Sequence, residues 1–330
     1  TKAHLLRPKN RSGSRQNREY VVDIRIFSRL WMQNHEKMPG MAKVLAVFRR
    51  VHALRERYYQ AAIGKDALIA LISEAEIAEQ VYNSNAIENS TLTLDETEKI
   101  LRQINLDRLI SEREIFEARH LARVVAYIDR MAGSEDLTLD VMRLLHKMLL
   151  ANIRDDIAGR FRATGEYVRV GSHIAPPPEA IQKRLEQMVV AYRASQHEHI
   201  IKRIARFHLT FEHTHPFVDG NGRIGRVLNN YALIREGFVP INIKFIDRQR
   251  YYDAFVEFDR HGRTAIMENI VGRALTSSYH KRLAYLEGKT IMPLAEFARS
   301  QGVSHSNLIN KAHRQTIEAF LEKGDWKIGT

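Results

Sequence analysis

His215 to Arg226 reads His-Pro-Phe-Val-Asp-Gly-Asn-Gly-Arg-Ile-Gly-Arg, and the way this stretch must fold organises the rest of the chain. Pro216 biases His215 away from the right-handed helical region, so the helical pattern running from about residue 199 should stop just before it. That places His215 on a loop. Asp219, Gly220, Asn221 and Gly222 are poor helix formers but good turn and N-cap residues. Beyond them Ile224, Val227, Leu228 and Tyr231 recur at helical spacing, which predicts a new helix. Free amides at a helix start converge on one spot, the helix dipole favours an anion there, and glycines let a bulky phosphate approach the backbone. Gly220, Gly222 and Gly225 thus read as part of a phosphate cradle.

The side chains around that cradle suggest a chemistry. Arg223 and Arg226 stand three apart on the first turn, and a forked guanidinium matches phosphate oxygens in pairs, so two of them suit a polyphosphate. Asp219 can hold Mg²⁺, which commonly binds through one or two carboxylates and the substrate's own phosphates. His215, with an ordinary pKa of about 6.5, can take a proton from an attacking hydroxyl. Together they specify phosphoryl or nucleotidyl transfer, in which positioning and charge neutralisation dominate. Rival readings fit less well. Gly220-x-Gly222-x-x-Gly225 spells the dinucleotide fingerprint but lacks the preceding strand. His208, His213 and His215 lack a partner completing a familiar zinc spacing. His208, spaced from Ile204 and Phe211 like a core position, reads as a packed histidine.

At every defined position the stretch fits His-Pro-Phe-x-Asp/Glu-Gly-Asn-Gly-Arg-x-x-Arg, and so resembles the Fic family. The resemblance covers roughly residues 75–275. It implies a predominantly α-helical Fic fold with a short β-hairpin flap, and transfer of AMP from Mg²⁺-ATP to a Ser, Thr or Tyr hydroxyl of a target protein that the sequence does not name, with self-modification as a readout. By the same resemblance His215 is the base, Asp219 the Mg²⁺ ligand, Asn221, Gly222 and Arg223 grip the phosphates, Arg226 meets the γ-phosphate, and Phe217 is a buried anchor. A phosphorylating branch of the family carries Lys where this chain has Gly222, which argues for AMP transfer. Upstream, Ser84-Asn85-Ala86-Ile87-Glu88-Asn89 resembles the family's inhibitory motif. Ser84 and Glu88 would share a helix face, and Glu88 would occupy the guanidinium of Arg226 in place of a phosphate. The same glutamate would alternatively position a water that removes AMP from a modified protein. Val170, Gly171, Ser172 and His173 resemble the flap, whose backbone can pair with a target strand. Tyr251 and Tyr252 match an aromatic pair near the nucleotide, or else form a core pair. Asp259 stands where relatives often carry Asn for the adenosine.

Outward from this centre, helical periodicity is expected over Met41 to Tyr59, Asp66 to Tyr82, 111–131, 137–150, 179–196 and 199–214. A capping box at Thr93–Glu96 starts another helix. Glu166 to Ile174 reads as a short hairpin, and Val239 to Phe245 as a strand. After Gly288, a helix, a Gln301-Gly302-Val303 turn, a helix opened by Ser304 and a terminal strand at Trp326–Ile328 resemble a small winged-helix module of the excisionase type. Such a module suits DNA, and equally a helical add-on for packing or a homodimer. The expected divisions are a basic arm and helical region (1–65), a catalytic domain (66–288) and this module (289–330).

Composition sets outer limits. The 330 residues are long enough for one large or two modest cores, and the absence of cysteine excludes disulfides, thiolate zinc sites and a cysteine nucleophile. The net charge of +12 is regional, since residues 1–65 hold 15 Lys/Arg against four Asp/Glu, or +11, leaving +1 for the remainder. Residues 8–18 read as a mobile basic arm. With no secretory leader or membrane-spanning run apparent, a cytoplasmic, membrane-free protein is the expectation.

Overall fold

The computed structural model describes residues 41–330 apart from Ser172, with side chains from Val47 onward. The basic arm and the expected structural start near Val21 lie outside the described residues. Phe48–Thr330 forms one compact unit, so the expected boundaries at 65/66 and 288/289 fall inside it.

Ten helices precede residue 290 in the described chain if the single turn Phe245–Asp247 is left aside. They are α1 (Met41–Ala62), α2 (Asp66–Ile87), α3 (Leu94–Leu101), α4 (Glu112–Met131), α5 (Leu139–Leu150), α6 (Pro178–Ala194), α7 (Ile200–Thr214), α8 (Asn221–Arg235), α9 (Arg248–His261) and α10 (Ala265–Leu286). Local chemistry starts several of them. Thr93 accepts from the Glu96 amide while the Glu96 carboxylate accepts from the Thr93 amide, the reciprocal box expected there. Ser111 and Thr138 cap α4 and α5 through their hydroxyls.

The core gathers around α8, which is buried along almost its whole length, as a helix at the centre of a bundle must be. Phe207, Phe211, Phe217, Ile224, Leu228 and Tyr231 form its middle, with Leu121, Leu145 and Leu185 closing from α4, α5 and α6. Among the described residues no helix is long and apolar enough to cross a membrane.

The expected strand at Val239 to Phe245 is not one. Its alternation is real, since Val239, Ile241 and Ile243 are buried, but the partner is a side chain. Asn230 of α8 donates from Nδ2 to the Ile241 carbonyl (2.9 Å) and accepts the Ile241 amide on Oδ1 (2.8 Å), reproducing one rung of a ladder. Asn230→Ala leaves both buried backbone groups unpaired. It should cost about 2 kcal/mol, read as a lowered denaturant midpoint at unchanged slope.

The flap is a two-stranded hairpin, β1 (Arg169–Val170) and β2 (His173–Ile174), with Val170 opposite His173. After α10 come β3 (Ile291–Pro293), α11 (Leu294–Ser300), α12 (His305–His313, capped by Ser304), β4 (Ala319–Glu322) and β5 (Asp325–Gly329), the strands ordered β3-β5-β4. This segment packs its own small core of Leu294, Ala298, Leu308, Ala312, Ala319 and Ile328. It also shares a charge cluster with α2 and α10: buried Lys281 pairs with Glu322 (2.9 Å) and lies 3.6 and 3.8 Å from Glu76 and Glu79.

Candidate active site

α7 ends at Thr214 and His215 turns into the left-handed region (φ 46°, ψ 60°), so the proline behind it does exclude the right-handed helix. A non-glycine residue holds that conformation only when its surroundings fix it. Here buried Arg162 does so. Its Nε donates to the His215 carbonyl (2.8 Å), its Nη2 to Thr214 (3.3 Å) and its amide to Pro216 (2.9 Å). Phe217 is fully buried and stacks on His146 at 3.7 Å. His146 accepts the Gly159 amide on Nδ1 (2.9 Å), so Nε2 carries the proton and donates to the Asp219 carbonyl (3.0 Å).

Asn221 also shapes its own loop. Its Oδ1 accepts the Phe217 amide and its Nδ2 donates to the Phe217 carbonyl, both at 2.9 Å. These two bonds fold the side chain back on its own loop and leave one Nδ2–H and the Asn221 backbone amide for a phosphate. Gly220 (φ 79°) starts α8 with no side-chain cap, leaving the first amides of the helix for another acceptor.

Arg226 is buried and aimed by three residues. Nε donates to Ser84 Oγ (2.9 Å), Nη2 to the Ser84 carbonyl (2.8 Å) and to Glu88 Oε1 (2.9 Å), and Nη1 to the Tyr251 hydroxyl (3.3 Å). Burial opposes its charge, but the Tyr251 hydroxyl and the Glu88 carboxylate outweigh it and hold the guanidinium more firmly protonated than usual. α2 runs five residues past the expected Tyr82 and stops at Ile87, so Glu88 is its C-cap. The Glu88 carboxylate lies directly over Gly222, where an added Cβ would fall 2.1 Å from Oε1. A side chain at position 222 would therefore displace the Glu88 carboxylate from this place.

Tyr251 is 1% exposed and bonded to His208 Nε2 (2.7 Å) as well as Arg226. It is a core residue shaping the guanidinium, not a surface for a base. Tyr252 donates to the Ile87 carbonyl (2.8 Å) and so pins the end of α2. Arg223 is nearly buried and paired with Glu117 (3.1 Å) and Asp219 (3.4 Å), while Asp219 also accepts from exposed Arg113 (3.1 Å) and the Gly220 amide (2.6 Å). In the flap, Val170 and Gly171 lie at the exposed edge, and Ser172 lies outside the described residues. His173 and Asp259 meet each other near His213, away from Arg226's bonds.

Burial lowers the His215 pKa to about 4, against smaller opposing contributions from the Glu212 carbonyl and Glu88, so the imidazole is the free base at neutral pH. Glu212, one turn before His215, is pushed the other way. Burial and then the Glu88 charge raise it to about 8, so it is protonated at neutral pH and leaves Arg226 to other anions. Its Oε1 is buried without a partner and approaches Gly225 so closely that a Cβ there would meet it at 2.2 Å. Burial likewise lowers His146 and His280 to about 4, and His199 and His208 to about 3. Their folded pKa values lie below the unfolded value, so the unfolded chain binds more protons below pH 6.5. Stability should therefore fall as pH drops from 6.5 toward 4, by up to about 1.4 kcal/mol per pH unit for each such histidine. Thermal midpoints measured across that window check this.

Residues 136–233 match the Fic/DOC family model, a span that contains α5, the flap, α7 and the whole loop from His215 to Arg226. The chain carries a Fic domain. It is 31% identical over 249 residues to Protein adenylyltransferase Fic of Nematostella vectensis, covering 74% of this chain and 57% of that one. It is 33% identical over 180 residues to the protein of the same name in Drosophila melanogaster, covering 53% and 36%. The chain therefore spans about half or less of the length of these curated relatives. A Fic domain containing signaling protein from Bacteroides thetaiotaomicron superposes with TM-score 0.66 at 21% identity, over 73% of this chain and 98% of that one. Fic-1 from C. elegans gives 0.65 at 24% identity, over 74% and 72%. The Fic fold is thus shared with both.

Proposed function

We propose that the chain transfers AMP from ATP to a hydroxyl of a target protein and that Glu88 restrains it. The observation that carries this is the Glu88 carboxylate bonded to Arg226 and seated over Gly222 at the uncapped start of α8. An anion held by a guanidinium beside an uncapped helix N-terminus marks the place a phosphate would take. Neutral His215 accepts the proton of the target hydroxyl as its oxygen forms a bond to the α-phosphorus. The bond to the β-phosphate oxygen breaks in line, and pyrophosphate leaves toward Arg226. The flap edge would present the target segment by strand pairing.

The donor set fits Mg²⁺: Asp219 offers one part-exposed carboxylate beside the cradle, and the two cations beside it, exposed Arg113 and buried Arg223, each have Glu117 as a second partner. Mg²⁺ there would neutralise phosphate charge. The test is transfer of label from α-labelled ATP onto protein, the chain itself included, with Glu88→Gly labelling and the added His215→Ala silencing it.

Two further readings have their own observations. Glu88 is 37% exposed on the side that meets solvent, which suits a glutamate that orients a water to remove AMP. Release of AMP from a modified protein by the unaltered chain would show that. The start of α12, Ser304 to Asn307, is exposed, as a helix entering a DNA groove must be. Sequence-specific, salt-dependent DNA binding by His215→Ala would favour that role.

A further inference from the structure

Among the described residues, three metal-ligating side chains from three elements converge beside the catalytic loop: His173 of the flap, His213 in the last turn of α7, and Asp259 of α9. Their ligand atoms all lie within 4.8 Å of one another. His213 Nδ1 and Asp259 Oδ1 make a 2.7 Å hydrogen bond, whose proton a bound ion would replace, and His173 Nδ1 is 3.7 Å from Asp259 Oδ2. His173 Nε2 is 2.9 Å from the His213 backbone carbonyl, which only accepts, so that nitrogen carries the proton. In the neutral ring Nδ1 is then a bare lone pair facing a carboxylate oxygen across a gap too long for a hydrogen bond. Two acceptors that face each other call for a cation between them. The observed 2.7 and 3.7 Å bracket the spacing of about 3.3 Å that ligands held about 2.0–2.1 Å from tetrahedral Zn²⁺ keep, so a bound ion asks only for small side-chain shifts. The bond from Nε2 to a carbonyl is also how ligating imidazoles are oriented.

We propose that His173, His213 and Asp259 form a binding site for a borderline divalent transition ion of the Zn²⁺ type. Two imidazoles and one carboxylate favour such an ion over Mg²⁺, which prefers oxygen. The set leaves a fourth position for water. It shares no residue with the Asp219 cradle and does not depend on AMP transfer. The sequence hid it: His208, His213 and His215 are neighbours along the chain, but His208 is buried against Tyr251, and the partners of His213 come from residues 40 and 46 positions away. Because β2, α7 and α9 each supply one ligand, the ion would fasten the flap to the body of the domain two residues from His215.

Untagged full-length chain, stripped with chelator, is titrated with Zn²⁺ against a chromophoric chelator and with Co²⁺ as a spectroscopic probe. The expected result is one Zn²⁺ per chain and Co²⁺ bands of a nitrogen–oxygen site. Affinity should weaken by roughly 10–100-fold in His173→Ala and in Asp259→Asn, while His305→Ala, on exposed α12, should bind as the parent does. Zn²⁺ should also slow amide exchange in residues 168–175 of the parent but not of His173→Ala. Affinity equal in the parent, His173→Ala and Asp259→Asn, or binding lost equally in His305→Ala, would overturn the assignment. His173 lies on a surface hairpin, so its replacement leaves the core intact.

Discussion

Glu88→Gly should raise incorporation of label from α-labelled ATP by roughly ten- to a hundredfold, matching the ~1.5–3 kcal/mol of a hydrogen bond to a charged group. The size follows from what remains after the carboxylate is gone. Ser84 still holds Nε and Nη2 of Arg226, and Tyr251 still holds Nη1, so the guanidinium stays aimed at the cradle. It needs no reorganisation to receive a phosphate, and a preorganised charge is the effective kind. Glu88→Gln separates charge from shape: the amide oxygen can still accept from Arg226, but it no longer neutralises it. Its label incorporation should fall between parent and Glu88→Gly. Ser84→Ala should behave differently, because it removes an anchor of Arg226 itself. Unchanged labelling in Glu88→Gly would remove the restraint from the account while leaving the loop chemistry standing.

The sequence made legible what is local along the chain. The two helices flanking His215, the Thr93 capping box and the hairpin at 169–174 each follow from residues within a few positions of one another. α2 extends to Ile87 although Asn83, Ser84 and Asn85 are weak helix formers, because burial and the bonds to Arg226 hold them there. What the sequence could not show is which distant groups meet. Arg162 and His146 shape the loop from 53 and 73 residues away, and neither carries a local signature. Glu212 sits one turn from the motif, but only its burial in the folded core and the approach of Glu88 make it a neutral acid. Asn221 and Tyr251 were legible as residue types, but their contacts with the Phe217 backbone and the Arg226 guanidinium were not, since a side chain that fits a phosphate or a base fits a backbone amide or a guanidinium equally well.

His215→Ala in the Glu88→Gly background should reduce labelling by about 10²–10⁴-fold, the usual worth of a general base. The backbone must be separated from the ring, because residue 215 sits at φ 46° and alanine adopts that region reluctantly. Asparagine tolerates it, yet offers no base. His215→Asn should therefore be as inactive as His215→Ala if the ring does the chemistry, and substantially more active if the turn is what matters. The pH profile supplies an independent measure. Burial sets the His215 pKa near 4, and removing Glu88 takes away a charge that favours the protonated ring. Protonation would silence the base, so activity is lost only as pH falls through the folded value. In Glu88→Gly, kcat/KM should stay level from pH 7.5 through 6.5 and decline only toward the acid range, because kcat/KM reports the free enzyme. A fall centred on 6.5 would mean that the imidazole is hydrated and that the packing of His215, on which the neutral base depends, is not the one that acts.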